Sequence, residues 1–322
     1  MSARLLSGKR RKAIAAAAMI VAVSTALILG VADSASPPES GPAVDTHVDH
    51  SYIYTVDVSN GDLTQETNHQ GEGALEPSYS PDGELAFSTM DCDECSSSIV
   101  QVDPGPGAPV EVPIETNVEH LFQPSWAPDG KRVATVALAR GIFSVDSQSG
   151  VSQQLTSGPS DEAPDWSPVG DLVLFHRQVT GSNYDIFAVN AATGRERRLT
   201  NDKKQQTNPA WSPDGKRVAF AEQRDNGLWA IVTMNSNGSQ RKRVTAPTIS
   251  AQEPSWSPDG TELAVILQEL DEAAVAIMPA DGSAQPRRVT DDNIFPSKPS
   301  WSPDGDNIAF AAIVVSEPPP SN

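Results

Sequence analysis

The 322-residue sequence predicts an all-β protein, a six-bladed β-propeller, on three observations. Residues 298–305 read Lys-Pro-Ser-Trp-Ser-Pro-Asp-Gly and are followed by an apolar run, Ile308 to Phe310. The phrase recurs at 253–260 and 208–215, and in altered form around Trp166, Trp126 and Tyr79. Its opening prolines, Pro77, Pro124, Pro164, Pro209, Pro254 and Pro299, are separated by 47, 40, 45, 45 and 45 residues. That period belongs to four-stranded propeller blades. Between the phrases lie pairs of short β-type runs, such as Tyr184 to Val189 with Leu199-Thr200, and Leu228 to Val232 with Val244-Thr245.

Residues 1–12 are basic, and 13–32 contain nothing more polar than Ser24 and Thr25. About 20 apolar residues suffice for a helix to cross a bilayer. The basic flank before it and the acidic Asp33 and Glu39 after it orient the amino terminus inward and the body outward. The length favours a transmembrane anchor. A cleaved signal peptide, ending at the small residues 30–32, is the alternative, which would leave the body secreted or periplasmic. Residues 33–50 read as a Pro-rich, acidic linker. His47, Asp49 and His50 sit within it, but a flexible spacer would lose much entropy in ordering them around a metal.

The propeller is expected over 51–316, with a short tail at 317–322. One repeat supplies four strands. The first carries Pro-Ser-Trp, and the Ser-Pro-Asp-Gly turn leads to a second of the Ile-Ala-Phe type. In that turn proline presets φ, aspartate bonds locally, and glycine takes the left-handed conformation. Val169 replaces the aspartate in the third copy, so a looser turn is expected there. The opening segment 52–67 has only the last two strands of a repeat, and the segment after Trp301 only the first two. The two ends are therefore expected to share the last blade, which removes exposed sheet edges. The recurrent Trp126, Trp166, Trp211, Trp256 and Trp301, with Tyr79, are read as core between blades.

Charge narrows the partners. The net charge is −19, and without the five basic residues at 4–12 the body holds 18 basic against 42 acidic groups. So acidic a body argues against nucleic acid and anionic lipid as general partners. Cys92 and Cys95 are the only cysteines; outside the cytoplasm they are expected to form a small disulfide, since a metal site would need two further ligands.

The repeated phrase resembles the TolB-type, WD40-like propellers over residues 51–315. The resemblance implies a six-bladed, extracytoplasmic, protein-binding propeller. In the Tol–Pal system the related protein is periplasmic and docks onto a peptidoglycan-associated lipoprotein. The family's α/β domain ahead of the propeller has no counterpart in residues 1–50, so only the propeller carries over. Similar repeats front peptidases of the prolyl oligopeptidase family, but no Gly-x-Ser-x-Gly elbow occurs here.

The residues before the prolines are expected around one mouth of the central channel, on the face where strand four hands over to the next blade. Glu76, Gln123, Glu162, Asn208, Glu253 and Lys298 are the candidate partner-binding residues, with Ala163 as the pre-proline residue of the third copy. The expected function is non-catalytic binding of a protein or cell-envelope component by a monomer without cofactor or metal. A metal-assisted hydrolase or lyase is the alternative, although no His-Glu-x-x-His or phosphate-loop motif is present.

Overall fold

A computed structural model describes residues 51–67, 72–91, 96–103, 110–269, 272–290 and 294–314. The apolar segment 13–32 with its flanks, the Cys92/Cys95 pair and the tail lie outside the described residues. Among the described residues no helix is long and apolar enough to cross a membrane.

The strands form six four-stranded antiparallel sheets. The first sheet contains β3 (Glu72–Tyr79), β4 (Leu85–Asp91), β5 (Ser96–Asp103) and β6 (Val110–Pro113). The second contains β7 (Leu121–Trp126), β8 (Arg132–Ala137), β9 (Gly141–Asp146) and β10 (Ser152–Gln154). The third contains β11 (Asp161–Trp166), β12 (Leu172–Thr180), β13 (Asn183–Asn190) and β14 (Glu196–Arg198). The fourth contains β15 (Gln206–Trp211), β16 (Arg217–Gln223), β17 (Trp229–Asn235) and β18 (Lys242–Arg243). The fifth contains β19 (Ser250–Trp256), β20 (Glu262–Glu269), β21 (Glu272–Pro279) and β22 (Arg287–Arg288).

The sixth sheet joins β1 (Ser51–Asp57) and β2 (Leu63–Gln65) to β23 (Ile294–Trp301) and β24 (Asn307–Val314). β1 lies antiparallel to β24 along its whole length, from Ser51 opposite Ile313 to Asp57 opposite Asn307. The first strands, β3, β7, β11, β15, β19 and β23, touch one another in sequence around a closed ring. They are therefore the innermost strands of a six-bladed propeller, and the fourth strands form its rim.

The repeated phrase shapes each inner corner. Gly215 N–H donates to Ser212 O at 2.8 Å and Arg217 N–H to Ser212 Oγ at 2.9 Å, while Ser212 Oγ bonds Asp214 Oδ1 at 2.7 Å. The same pattern holds at Ser257 and Ser302. These bonds hold the carboxyls of Asp214, Asp259 and Asp304 below the usual carboxylate range. Gly215 has φ of 66°, as a turn of this kind requires. In the third copy the glycine N–H bond that closes the other five turns is missing, and Ser167 Oγ contacts only the backbone of Val169.

The tryptophans of the repeated phrase, Trp126, Trp166, Trp211, Trp256 and Trp301, are wedged between neighbouring sheets, with only 4 to 8% of their surface exposed. Trp256 packs on Ala210, Ala219 and Ile231 of the preceding sheet, donates Nε1–H to Ala210 O at 3.1 Å, and carries the Arg217 guanidinium over its ring at 4.4 Å. The threonine that ends the Leu-Thr and Val-Thr pairs also has a fixed task. Thr67, Thr156, Thr200, Thr245 and Thr290 each accept, through Oγ1, the N–H of a third-strand residue in their own sheet: Ile53, Ile142, Ile186, Ile231 and Val275, at 2.8 to 3.1 Å. The bond ties the rim strand's exit to the strand inside it.

Trp256→Ala is expected to lower unfolding free energy by about 3–5 kcal/mol in denaturant titration, as for other buried large-to-small changes. Val169→Asp, which restores the turn acceptor, should raise it by about 1 kcal/mol. Loss of stability in the second variant would show that the third turn is held by packing instead.

Candidate functional site

The six residues before the prolines share a conformation that X-Pro sequences ordinarily avoid. Glu76, Gln123, Ala163, Asn208, Glu253 and Lys298 have φ between 51° and 57°. Each lies at a register shift between the first and second strands of its sheet, for example between Ser297 and Ser300. The chain therefore bulges at the same point in every blade. A bulge re-aims a side chain at the cost of local strain. Lys298 is the fifth residue of the eight in β23, so these positions lie partway along the inner strands; the sequence alone leads one to expect them around one mouth of the channel. Glu162 precedes the bulge residue Ala163 and is not in register with the other five.

The re-aimed side chains link one blade to the next. Gln123 N–H donates to Glu76 Oε2 at 2.8 Å, and Ala163 N–H donates to Gln123 Oε1 at 2.6 Å. Lys298 N–H donates to Glu253 Oε2 at 2.6 Å. Ala163 has no acceptor to offer, and His176 on β12 takes its place: Asn208 N–H donates to His176 Nδ1 at 3.3 Å. The proton of that imidazole then falls on Nε2, which faces Glu162 Oε2 at 3.6 Å, while the edge of Tyr184 closes over the ring. Asn208 and Lys298 make no onward bond among the described residues; Lys298 could not, because an ammonium can only donate.

A second tier lies one turn nearer the Ser-Pro-Asp-Gly corners. Trp166 N–H donates to Ser125 Oγ at 2.8 Å, Tyr79 N–H to Ser300 Oγ at 3.2 Å, and Trp211 N–H to Asp165 Oδ2 at 2.6 Å. Asp165 thus performs with a carboxylate what serine performs elsewhere. Burial pushes its pKa up to about 7, against the pull of the Trp211 N–H and the Lys298 charge. Burial also raises Glu76, opposed by Lys298 and by bonds from Ser88 and Gln123. Lys298 is thus felt by carboxylates on both sides of the channel, yet none lies within ion-pair distance of it among the described residues.

Above these tiers the channel widens into a cavity of about 480 Å³ that opens between the Ser-Pro-Asp-Gly turns. Its wall carries two rings of prolines, the buried Pro77 series and the Pro81 series of the turns, with Ser78, Ser125, Asp165, Ser255 and Ser300 between them and Asn208, Glu253 and Lys298 at its floor. Sequence reading found the ring residues but not the exchange of Ala163 for His176, or the role of Asp165. The one available signal was that the third copy departs from the phrase at three places, 163, 165 and 169. Among the described residues no three of His, Cys, Asp and Glu gather into a metal-binding group.

Asp165 makes stability depend on pH. Its folded pKa of about 7 lies above the ordinary 3.8, so the folded state holds the proton more tightly. Stability should fall as pH rises from about 4 to about 7, by on the order of 2–4 kcal/mol. Asp165→Asn should remove that slope in melts across the range and raise the melting temperature at pH 8. An unchanged slope would mean that the carboxylate ionises normally.

Comparison with known proteins follows this geometry. The sequence profile of the TolB beta propeller domain matches residues 31–184 and 178–315. A structure from Agrobacterium tumefaciens assigned as a TolB superimposes with a TM-score of 0.71 at 21% identity, covering 83% of this chain and 99% of that one. TolB from Acinetobacter baumannii gives 0.57 at 20% identity, covering 72% of this chain and 62% of that one. An oligogalacturonate lyase in complex with manganese gives 0.55 at 14% identity, covering 83% and 97%. Identities this low establish a shared fold alone. Comparison with curated protein sequences gives no match. With a profile that runs from residue 31 to residue 315, the chain belongs to the TolB beta propeller domain family.

Proposed function

We propose that the protein is a non-catalytic, extracytoplasmic propeller that captures a protein or cell-envelope partner at its channel. In this reading residues 13–32 anchor the chain in the membrane and 33–50 tether a monomeric propeller outside it. One observation carries the proposal: at the position where Glu76, Gln123 and Glu253 each provide an acceptor, Lys298 instead places an ammonium that has no hydrogen-bond or ion-pair partner among the described residues, at the floor of an open cavity. A short extended segment of a partner fits such a funnel. Its carbonyls or a carboxylate would accept from Lys298, and its apolar groups would lie against the prolines. Glu76, Gln123 and Glu253 serve mainly to hold the ring that positions Lys298, since each accepts a backbone N–H of the next blade.

The second reading is a propeller lyase or hydrolase. It is favoured by the fold shared with the oligogalacturonate lyase and by an Asp165 that titrates near neutrality. Ser125 occupies the same place and makes the same bond without a titrating group, so the structural role accounts for Asp165.

A photo-crosslinking residue at Val169, beside the mouth-lining Pro168, should capture a defined partner in intact cells, and one at the exposed Val151 should not. Lys298→Gln should lower capture by about tenfold or more, the worth of a charged hydrogen bond. Equal capture from both sites, or no loss with Lys298→Gln, would remove the channel as the docking site.

A further inference from the structure

The net charge conceals an ordered row of cations on the propeller rim. In sheets three, four and five the fourth strands are Glu-Arg-Arg, Lys-Arg and Arg-Arg. Arg197, Lys242 and Arg287 occupy one register position, opposite Ala188, Thr233 and Ile277, each two residues beyond the threonine-capped third-strand residue. The same position in the other three sheets holds Thr64, Val112 and Gln153. All three cations are exposed. The next residue along each of these strands is also basic but neutralised: Arg198 pairs with Asp185, Arg243 with Glu222 at 2.6 Å, and Arg288 with Glu272 at 3.7 Å.

The outer row has no such partner among the described residues. Arg197 Nη2 donates to Ser236 O at 2.8 Å, and Lys242 Nζ donates to Asp281 O at 2.7 Å, each reaching the next blade. These bonds tie blade to blade; the Asp281 carboxyl, held low chiefly by Ser283, is also lowered by the Lys242 charge, whereas Arg197 and Arg287 have no carboxylate within ion-pair distance among the described residues. Gln153 makes the equivalent tie to Ala191 O at 3.2 Å with a neutral amide. The structural task therefore does not require a cation, and three blades carry one nonetheless.

We propose that this row is a docking track for a linear polymer of repeated phosphate groups. Six sheets about one axis turn by about 60° each, so three rims span roughly a third of the circumference. A flat bilayer meets such an arc along one edge, whereas a flexible chain can follow it. Two of the three cations are arginines, whose planar fork suits phosphate oxygens. The acidic remainder of the surface confines a polyanion to this arc and makes its binding sensitive to salt.

Long-chain inorganic polyphosphate, labelled for fluorescence anisotropy, tests the track with the full-length protein in detergent. Binding at low salt is expected, with a log–log salt slope of roughly −2 for three contacts. The triple variant Arg197→Gln, Lys242→Gln, Arg287→Gln should bind at least tenfold more weakly while keeping its melting temperature, since glutamine already serves at Gln153. A control with equal charge change, Lys131→Gln, Arg140→Gln, Lys216→Gln, should bind as the parent does. Equal weakening in both variants, or no binding by the parent, would overturn the proposal. So would binding to phosphatidylglycerol vesicles without binding to polyphosphate, which would assign the row to a membrane surface.

Discussion

The structure depends on one constraint, the strained bulge before the proline in every inner strand. A non-glycine residue at positive φ is unfavourable by on the order of 1 kcal/mol, and the chain accepts it at this one position in all six blades. The return is geometric. At Glu76, Gln123 and Glu253 the bulge turns an acceptor along the channel wall to meet the N–H of the next bulge, and His176 does so in place of Ala163. The blades are then joined by directed polar bonds at the axis and by tryptophan packing further out. The threonine caps complete the set by securing the rim strand to its neighbour in five of the six sheets.

The third blade shows how far these joints can be varied. Ala163 removes an acceptor, and the imidazole of His176 reaches the same N–H from the adjacent strand. Asp165 keeps the second-tier bond but brings a buried carboxylate into the wall. Val169 loses the turn acceptor altogether. The blade retains the architecture because each loss falls on a different bond. Lys298 is another kind of variation: it keeps its own N–H bonded to Glu253 and offers nothing onward, so its charge stays available at the cavity floor.

The rim and the channel divide the work of recognition by curvature and by charge. The channel is concave, with prolines and polar groups alternating in its walls and charges of both signs at its floor, which suits a short inserted segment. The rim of blades three to five is convex and bears cations in register, which suits an extended polyanion. Both surfaces arise from the same repeat, at positions where it tolerates substitution because the backbone bonds are made by other residues.

Much of this was legible in the residues themselves. The six-fold phrase, its period and the tryptophan register determined a propeller with a buried aromatic tier, because turn chemistry and strand alternation act between near neighbours in the chain. The looser third turn could be read from Val169 alone. The bulge could not, since a residue before proline favours an extended conformation and only the packed ring holds it elsewhere. Nor could the His176 exchange, the neutral-range Asp165 or the aligned Arg197, Lys242 and Arg287. Those rest on pairings between strands and blades, and the closed ring alone decides which side chains stand side by side.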